Sequence, residues 1–308
     1  MDGIINIYKE KGYTSHDVVA KLRGILKTKK IGHTGTLDPD AEGVLPVCIG
    51  KATKVCDMLT EKDKTYRTVL LLGKTTDTQD VSGKILKESP GLEDISEEQI
   101  QSVIMQFVGE YMQIPPMYSA LKVNGKKLYE LARQGIEVER KARPVKILSI
   151  HIDKIELPRV GMTVECSKGT YIRTLCHDIG ENLGVGACME ELVRLKTGIF
   201  SVQDSVTISD VEEAVKDNTL KQLIKPVDAL FMDYGSFIVK KKYNKLIYNG
   251  NKFKAECIDR PMVPKSGEHF RVYDEERNFI GIYRYEIEEK MFVPVKMFLA
   301  GGHCESNK

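Results

Sequence analysis

The stretch Gly32–Gly50, GHTGTLDPDAEGVLPVCIG, constrains this chain more than any other, because it sets four glycines, two prolines and three acids directly against an apolar run. Glycine admits tight turns and close backbone approach, and proline fixes φ, so the first half can be neither regular helix nor regular strand. The second half, VLPVCIG, is rich in branched residues and reads as a buried strand. A rigid loop therefore delivers Asp38 at the edge of a core strand. One local reading makes Asp38 the cap of a helical turn begun by Pro39. A phosphate-binding loop fails on spacing: six residues separate Gly43 from Gly50 where four are needed, and Ala52 stands where a hydroxyl should follow Lys51. A third reading is a catalytic carboxylate on a fixed loop, with Gly32, Gly35 and Gly43 letting substrate come close.

Around that loop, helices and strands mix without the strict alternation of a doubly wound sheet. Thr14 with Asp17 predicts a helix using Val18, Val19, Leu22, Ile25 and Leu26. Ser96 with Gln99 predicts another using Ile100, Val103, Ile104 and Phe107, ended by Gly109. TYRTVLLLG, VKILSIHIDKIEL and GMTVECS read as strands, and Gly169-Thr170 opens a helix with Ile172, Leu175, Cys176, Ile179 and Leu183 on one stripe. Between them, IPPMYSALKVNGKKLYELARQG has two prolines, an Asn124-Gly125 turn and a short basic helix over KKLYELARQ. Beyond Phe231 the texture changes to short strand-like runs, SFIVK, HFRVYD, NFIGIYRYE and MFVPVKMFL. The expected fold is α+β: a mixed, mostly antiparallel sheet in residues 1–231, with an insertion at about 112–145, and a small β-barrel-like domain in 232–308.

Charge is nearly balanced at +2, but it is segregated. Basic residues gather at Lys9–Lys30, Lys122–Lys146 and Lys240–Lys254, an arrangement suited to a phosphate backbone. The seven cysteines are scattered without a C-x-x-C pair, which reads as reduced thiols and no metal site. No window reaches the roughly 18 apolar residues of a membrane span, and the N-terminus lacks a basic leader, so a cytoplasmic protein is expected. Nothing suggests an exposed apolar seam, so the expected state is a monomer.

GHTGTLDPDAEGVLPVCIGKATK closely resembles the signature of the TruB family of tRNA pseudouridine-55 synthases. DKTYRTVLLLGKTTDTQDVSGKI, IPPMYSALKVNGKKLYELARQGIEVERKARPV and CSKGTYIRTLCHDIGENLGVGA resemble the same family in the same order, covering most of residues 3–200. The last 75 or so residues resemble its small RNA-binding domain of PUA type more weakly. The resemblance implies a catalytic domain of pseudouridine synthase type, its insertion at about 112–145 binding RNA, that isomerises uridine 55 in the tRNA T-loop, with the T-arm as partner and no obligate protein partner. No redox change occurs in breaking N1–C1′ and joining C5 to C1′, so no cofactor and no metal is implied.

By the same resemblance Asp38 carries the covalent step, Arg173 is its cationic partner, and Tyr66 stacks on the flipped uracil and is placed to take the C5 proton at the end. His33 fills the space the base leaves, while Tyr171 and Leu192 line the uracil pocket. Without it, Tyr66 reads as a sheet residue, His33 as a loop hydrogen-bonder and Leu192 as core. Lys9, Lys122, Lys126, Lys127 and Arg133 are the expected phosphate contacts. Two positions depart from the family: Glu10 replaces a usual proline, and Leu195 a common second arginine. The competing readings are an RNA-binding or RNA-folding protein, and a guide-RNA-dependent relative sharing the aspartate loop.

Overall fold

Helix Ser15–Ile25 starts where Thr14 Oγ1 accepts from the Asp17 amide at 3.0 Å and the Thr14 amide donates to Asp17 Oδ2 at 2.8 Å. Ser96 and Gln99 close the same reciprocal cap on helix Glu97–Met105, each such cap contributing about 1 kcal/mol. These helices, and the rest of the fold, are described by a computed structural model over residues 1–260 and 263–298. The second helix ends four residues short of Gly109, which instead opens strand Gly109–Gln113 at φ 114°. A third reciprocal cap, Thr207 with Asp210, begins helix Ile208–Lys216, an element not anticipated from the sequence.

The main sheet has nine strands. Its central path runs Gly3–Lys9, Glu42–Ile49, Ala187–Thr197, Lys64–Leu72, Arg159–Cys166, Arg143–Glu156, Gly109–Gln113. Every pairing is antiparallel except Glu42–Ile49 with Ala187–Thr197, so the sheet is mixed as expected. That parallel join matters for the site, since it sets Gly43 opposite Arg194. A side chain on Gly43 would lie 2.3 Å from the Arg194 carbonyl, so only glycine fits there.

One face of the sheet packs on helices Glu97–Met105 and Ile172–Asn182 through Leu70, Ile100, Ile104, Met162, Leu175 and Ile179. The other packs on helices Ser15–Ile25 and Ile208–Lys216 through Ile5, Val18, Leu22, Val47 and Val211. The stripe predicted for Ile172, Leu175, Cys176 and Ile179 is the one buried. Within residues 114–135 the structure revises one boundary: Lys126 and Lys127 pair with Lys122 and Val123 in a small hairpin, and only Leu128–Ala132 is helical.

The C-terminal strands form a five-stranded sheet around a core of aromatic rings, Phe237, Phe253, Phe270, Tyr283 and Phe292. It also contains a five-residue helix, Asn244–Tyr248. Phe231, Ile282 and Phe298 pack it against Ile4, Val44 and Val55 of the larger body. The last ten residues of the expected 232–308 unit, and Cys304 with them, lie outside the described residues. The six described cysteines are free thiols, and no described helix is long and apolar enough to cross a membrane.

Candidate active site

Asp38 does not cap a helix: Pro39 and Asp40 form a turn, and the chain enters strand Glu42–Ile49 directly. The turn is fastened from several directions. The Leu37 amide donates to Ser15 Oγ at 2.9 Å, the Gly12 amide donates to the Pro39 carbonyl at 2.9 Å, and the Ala41 amide donates to the Asp38 carbonyl at 3.1 Å. Lys9, expected on the RNA backbone, is fully buried and takes no part in an outer surface. Its ammonium donates to the carbonyls of Glu10, Tyr13 and Pro39 at 3.1, 2.6 and 3.0 Å, clamping the loop from beneath. The apolar surroundings push it down to about 8, despite the nearby carboxylates Glu42, Asp38 and Asp40.

The carboxylate so placed meets Arg173. Arg173 Nε lies 2.9 Å from Asp38 Oδ2, and while the guanidinium is almost wholly enclosed at 6% exposure, the Asp38 side chain keeps 41%. Its other two nitrogens are engaged as well: Nη1 donates to the Thr78 carbonyl at 2.9 Å and Nη2 to the Tyr118 carbonyl at 2.8 Å. An enclosed cation requires such partners. A second carboxylate, Asp80, approaches Nη1 at 3.8 Å and is itself held by the Thr78 and Ser82 hydroxyls. Asp38 is raised above the ordinary carboxylate value because its concave setting strips water from it, and Asp80 adds to this; Arg173 opposes both without cancelling them.

Tyr66 reaches the same centre from strand Lys64–Leu72, packed with Leu37, Ala41, Ile172 and Leu192 in one apolar cluster. Its phenol is raised by burial, with Arg194 opposing and Asp38 reinforcing, so the charges of both neighbours reach it. Tyr171 is the residue at which helix Ile172–Asn182 begins, two before Arg173. Gln113 grips its backbone on both sides, accepting from the Tyr171 amide at 2.8 Å and donating to its carbonyl at 3.0 Å. Burial raises the Tyr171 phenol too, with Ser119 and Arg173 working against it.

His33 borders a groove of about 540 Å³ lined by His16, Arg23, Lys29, Lys30 and Cys56. Burial lowers its imidazole, and Nδ1 accepts from the Gly35 amide at 3.4 Å, so the ring is neutral near pH 7. Of the expected phosphate contacts, Lys122, Lys126 and Arg133 are exposed on the hairpin and the short helix after it. Lys127 is half-buried there, and its ammonium and the Arg133 guanidinium both lie over the Tyr129 ring.

The fold thus gathers Asp38, Tyr66, Tyr171, Arg173 and Leu192 from separate segments, while Lys9 serves inside. Residues 23–172 match the profile of the TruB family pseudouridylate synthase N-terminal domain, and 173–232 that of the tRNA pseudouridylate synthase B C-terminal domain. A curated relative, tRNA pseudouridine synthase B of Lachnoclostridium phytofermentans, is 52% identical over 97% of this chain and 100% of its own length. The chain belongs to the TruB family. The TruB-family protein of Clostridium acetobutylicum with the same name is 49% identical over 92% of this chain and 95% of that one. Among solved structures, an H/ACA RNP bound to a substrate RNA containing 2'-deoxyuridine superposes with TM-score 0.72 at 26% identity, covering 97% of this chain and 85% of that one. A Cbf5-Nop10-Gar1 complex gives TM-score 0.72 at 28% identity, covering 96% and 85%. The candidate site of this TruB-family chain also contains two residues that sequence reasoning passed over. Asp80 was detectable only as an acid in the turn TTDTQD, and Arg194 only as one of four charges, with Glu190, Glu191 and Lys196, in the strand that carries Leu192.

Proposed function

We propose that this protein isomerises uridine 55 in the T-loop of tRNA to pseudouridine, acting as a cytoplasmic monomer without an obligate protein partner. The observation that carries the reading is Asp38 at 2.9 Å from an enclosed Arg173, with Tyr66 in the same apolar wall. Extruding a uridine from a folded loop costs a few kcal/mol, and stacking on an aromatic ring returns about 1–3 kcal/mol. Tyr66 supplies that ring, and Leu192 and Tyr171 line the rest of the pocket. His33, neutral and at the lip of a basic groove, takes the place the base vacates.

Asp38 acts while ionised, either on the sugar or on the uracil ring. Arg173 favours that form against the burial that opposes it. The N1–C1′ bond breaks, the base turns within the pocket, C5 joins C1′, and the proton on C5 leaves while N1 takes one up. Lys122, Lys126, Lys127 and Arg133 contact phosphates and position the T-arm, and the small C-terminal domain at 232–308 adds RNA surface. Recognition is by shape and by extruded bases.

The test is an unmodified tRNA transcript incubated with the purified protein alone, followed by mapping of pseudouridine, in parallel with Asp38→Asn. The expected result is product at one T-loop uridine for the parent and none for the variant. Product only when a guide RNA is added, or at a ribosomal RNA position, would transfer the reading to a guide-dependent or different-substrate enzyme.

A further inference from the structure

Arg194 is the largest wholly buried side chain among the described residues, at 1% exposure, and it forms no ion pair with any described carboxylate. An enclosed cation held only by neutral partners is costly, so its placement calls for a reason. Nε donates to the Val44 carbonyl at 2.7 Å and Nη2 to the Gly35 carbonyl at 3.3 Å. Val44 begins the core of the strand that leaves the Asp38 loop, and Gly35 lies three residues before Asp38, so one guanidinium spans both ends of that loop. Arg194 is also the residue directly opposite Tyr66 across the antiparallel strand pair, which puts the two side chains on one face as neighbours.

We infer that Arg194 is a positioning residue for pseudouridine formation, its guanidinium tying the backbone of the Asp38 loop to the Tyr66 phenol so that carboxylate and ring hold a single geometry. The inference rests on the proposed roles of Asp38 and Tyr66. A neutral amide could satisfy the two carbonyls, but only a cation also acts on the phenol. Burial raises Tyr66, and Arg194 is the first influence opposing it, ahead of Cys166 on the neighbouring strand and Asp38 on the loop, which both reinforce burial. The same charge helps to hold down Lys9, Lys64 and His33, each lowered chiefly by burial.

On the proposed placement of the base over Tyr66, its phenol is the group that takes the C5 proton once the base has turned. In the last step the Tyr66 phenol, its own proton released to water, takes the proton of C5: the C5–H bond breaks, its electron pair restores the C5–C6 double bond, and the pair displaced from C6 withdraws onto N1, which takes a proton from water. Lowering the cost of the anionic phenol accelerates that transfer.

The experiment compares parent, Arg194→Lys, Arg194→Met and Asp38→Asn on a tRNA transcript, measuring tRNA affinity, unfolding, and single-turnover rate against pH. Arg194→Met is expected to bind tRNA within about 3-fold of the parent yet react about 100-fold more slowly, at the lower end of the range for lost proton-transfer assistance. Its rising pH limb moves to higher pH, and Arg194→Lys, which keeps the charge, recovers most of the rate. A folded Arg194→Met with parental rate and pH profile overturns the inference. If Arg194→Met does not fold, the inference stands on Arg194→Gln, which keeps a donor without charge: slow with a shifted limb supports it, and parental behaviour overturns it. Failure of the underlying reading looks different, namely no product from the parent or full activity in Asp38→Asn.

Discussion

Lys9 donates to the carbonyl of Pro39 at 3.0 Å, so an ammonium buried in the first strand holds the backbone one residue beyond the candidate carboxylate. Replacing it by Met strands three carbonyls with one donor fewer each, and the expected loss is about 1–3 kcal/mol of folding free energy at pH 7, read by urea unfolding. Because burial sets Lys9 at about 8 in the fold against 10.5 in the unfolded chain, the folded parent sheds its proton first. Stability from this group therefore rises with pH across that window. The deficit of Lys9→Met should be larger at pH 10 than at pH 7, and a deficit that shrinks would contradict the assignment.

Arg173 works against the burial that raises Asp38. Activity that needs the carboxylate is present above its folded pKa and lost as pH falls through it, so the acid limb of the rate profile should lie above the ordinary value of 3.8. In Arg173→Met the limb should move further up, and the rate at pH 7 should fall by about 100- to 1000-fold, as for loss of a charge-stabilising donor. Rate profiles at saturating tRNA decide this. An unmoved limb would mean that Asp38 is not the titrating group.

For Tyr66, ring and hydroxyl should separate. Tyr66→Phe keeps the stacking face and is expected to bind the T-arm like the parent while reacting more slowly. Tyr66→Leu also loses a stacking contribution of about 1–3 kcal/mol, and with it affinity for the extruded base. Equal rates for Phe and Tyr would confine the residue to stacking.

Lys122, Lys126 and Arg133 project from the hairpin module into solvent. Removing a phosphate contact lowers the slope of log K against log salt by about one per cation. Lys122→Gln with Lys126→Gln should therefore flatten tRNA binding over a salt titration without moving the modified position. An unchanged slope would place the T-arm elsewhere.

Where interactions are close in sequence, the chain could be read directly. Thr14 with Asp17 and Ser96 with Gln99 form the caps their spacing implies, and the stripe Ile172, Leu175, Cys176, Ile179 is the buried one. These are contacts three or four residues apart, set by helix geometry alone. The Thr207 and Asp210 cap carries the same signal. Lys126 and Lys127 went astray because a basic helix-forming run was captured by the Asn124-Gly125 turn and folded back into a hairpin.

The amino-acid order alone determined that a glycine- and proline-bound loop would present Asp38 beside a core strand, and that helices and antiparallel strands would share one mixed sheet. Only the tertiary structure decided which charges serve that loop. Arg173 stands 135 positions from Asp38 and Arg194 lies opposite Tyr66 across a strand pair, while Lys9 turns inward instead of toward a phosphate. Residue type announces a positive charge, but whether that charge faces solvent, a carbonyl or a carboxylate depends on long-range sheet register, which no local pattern encodes.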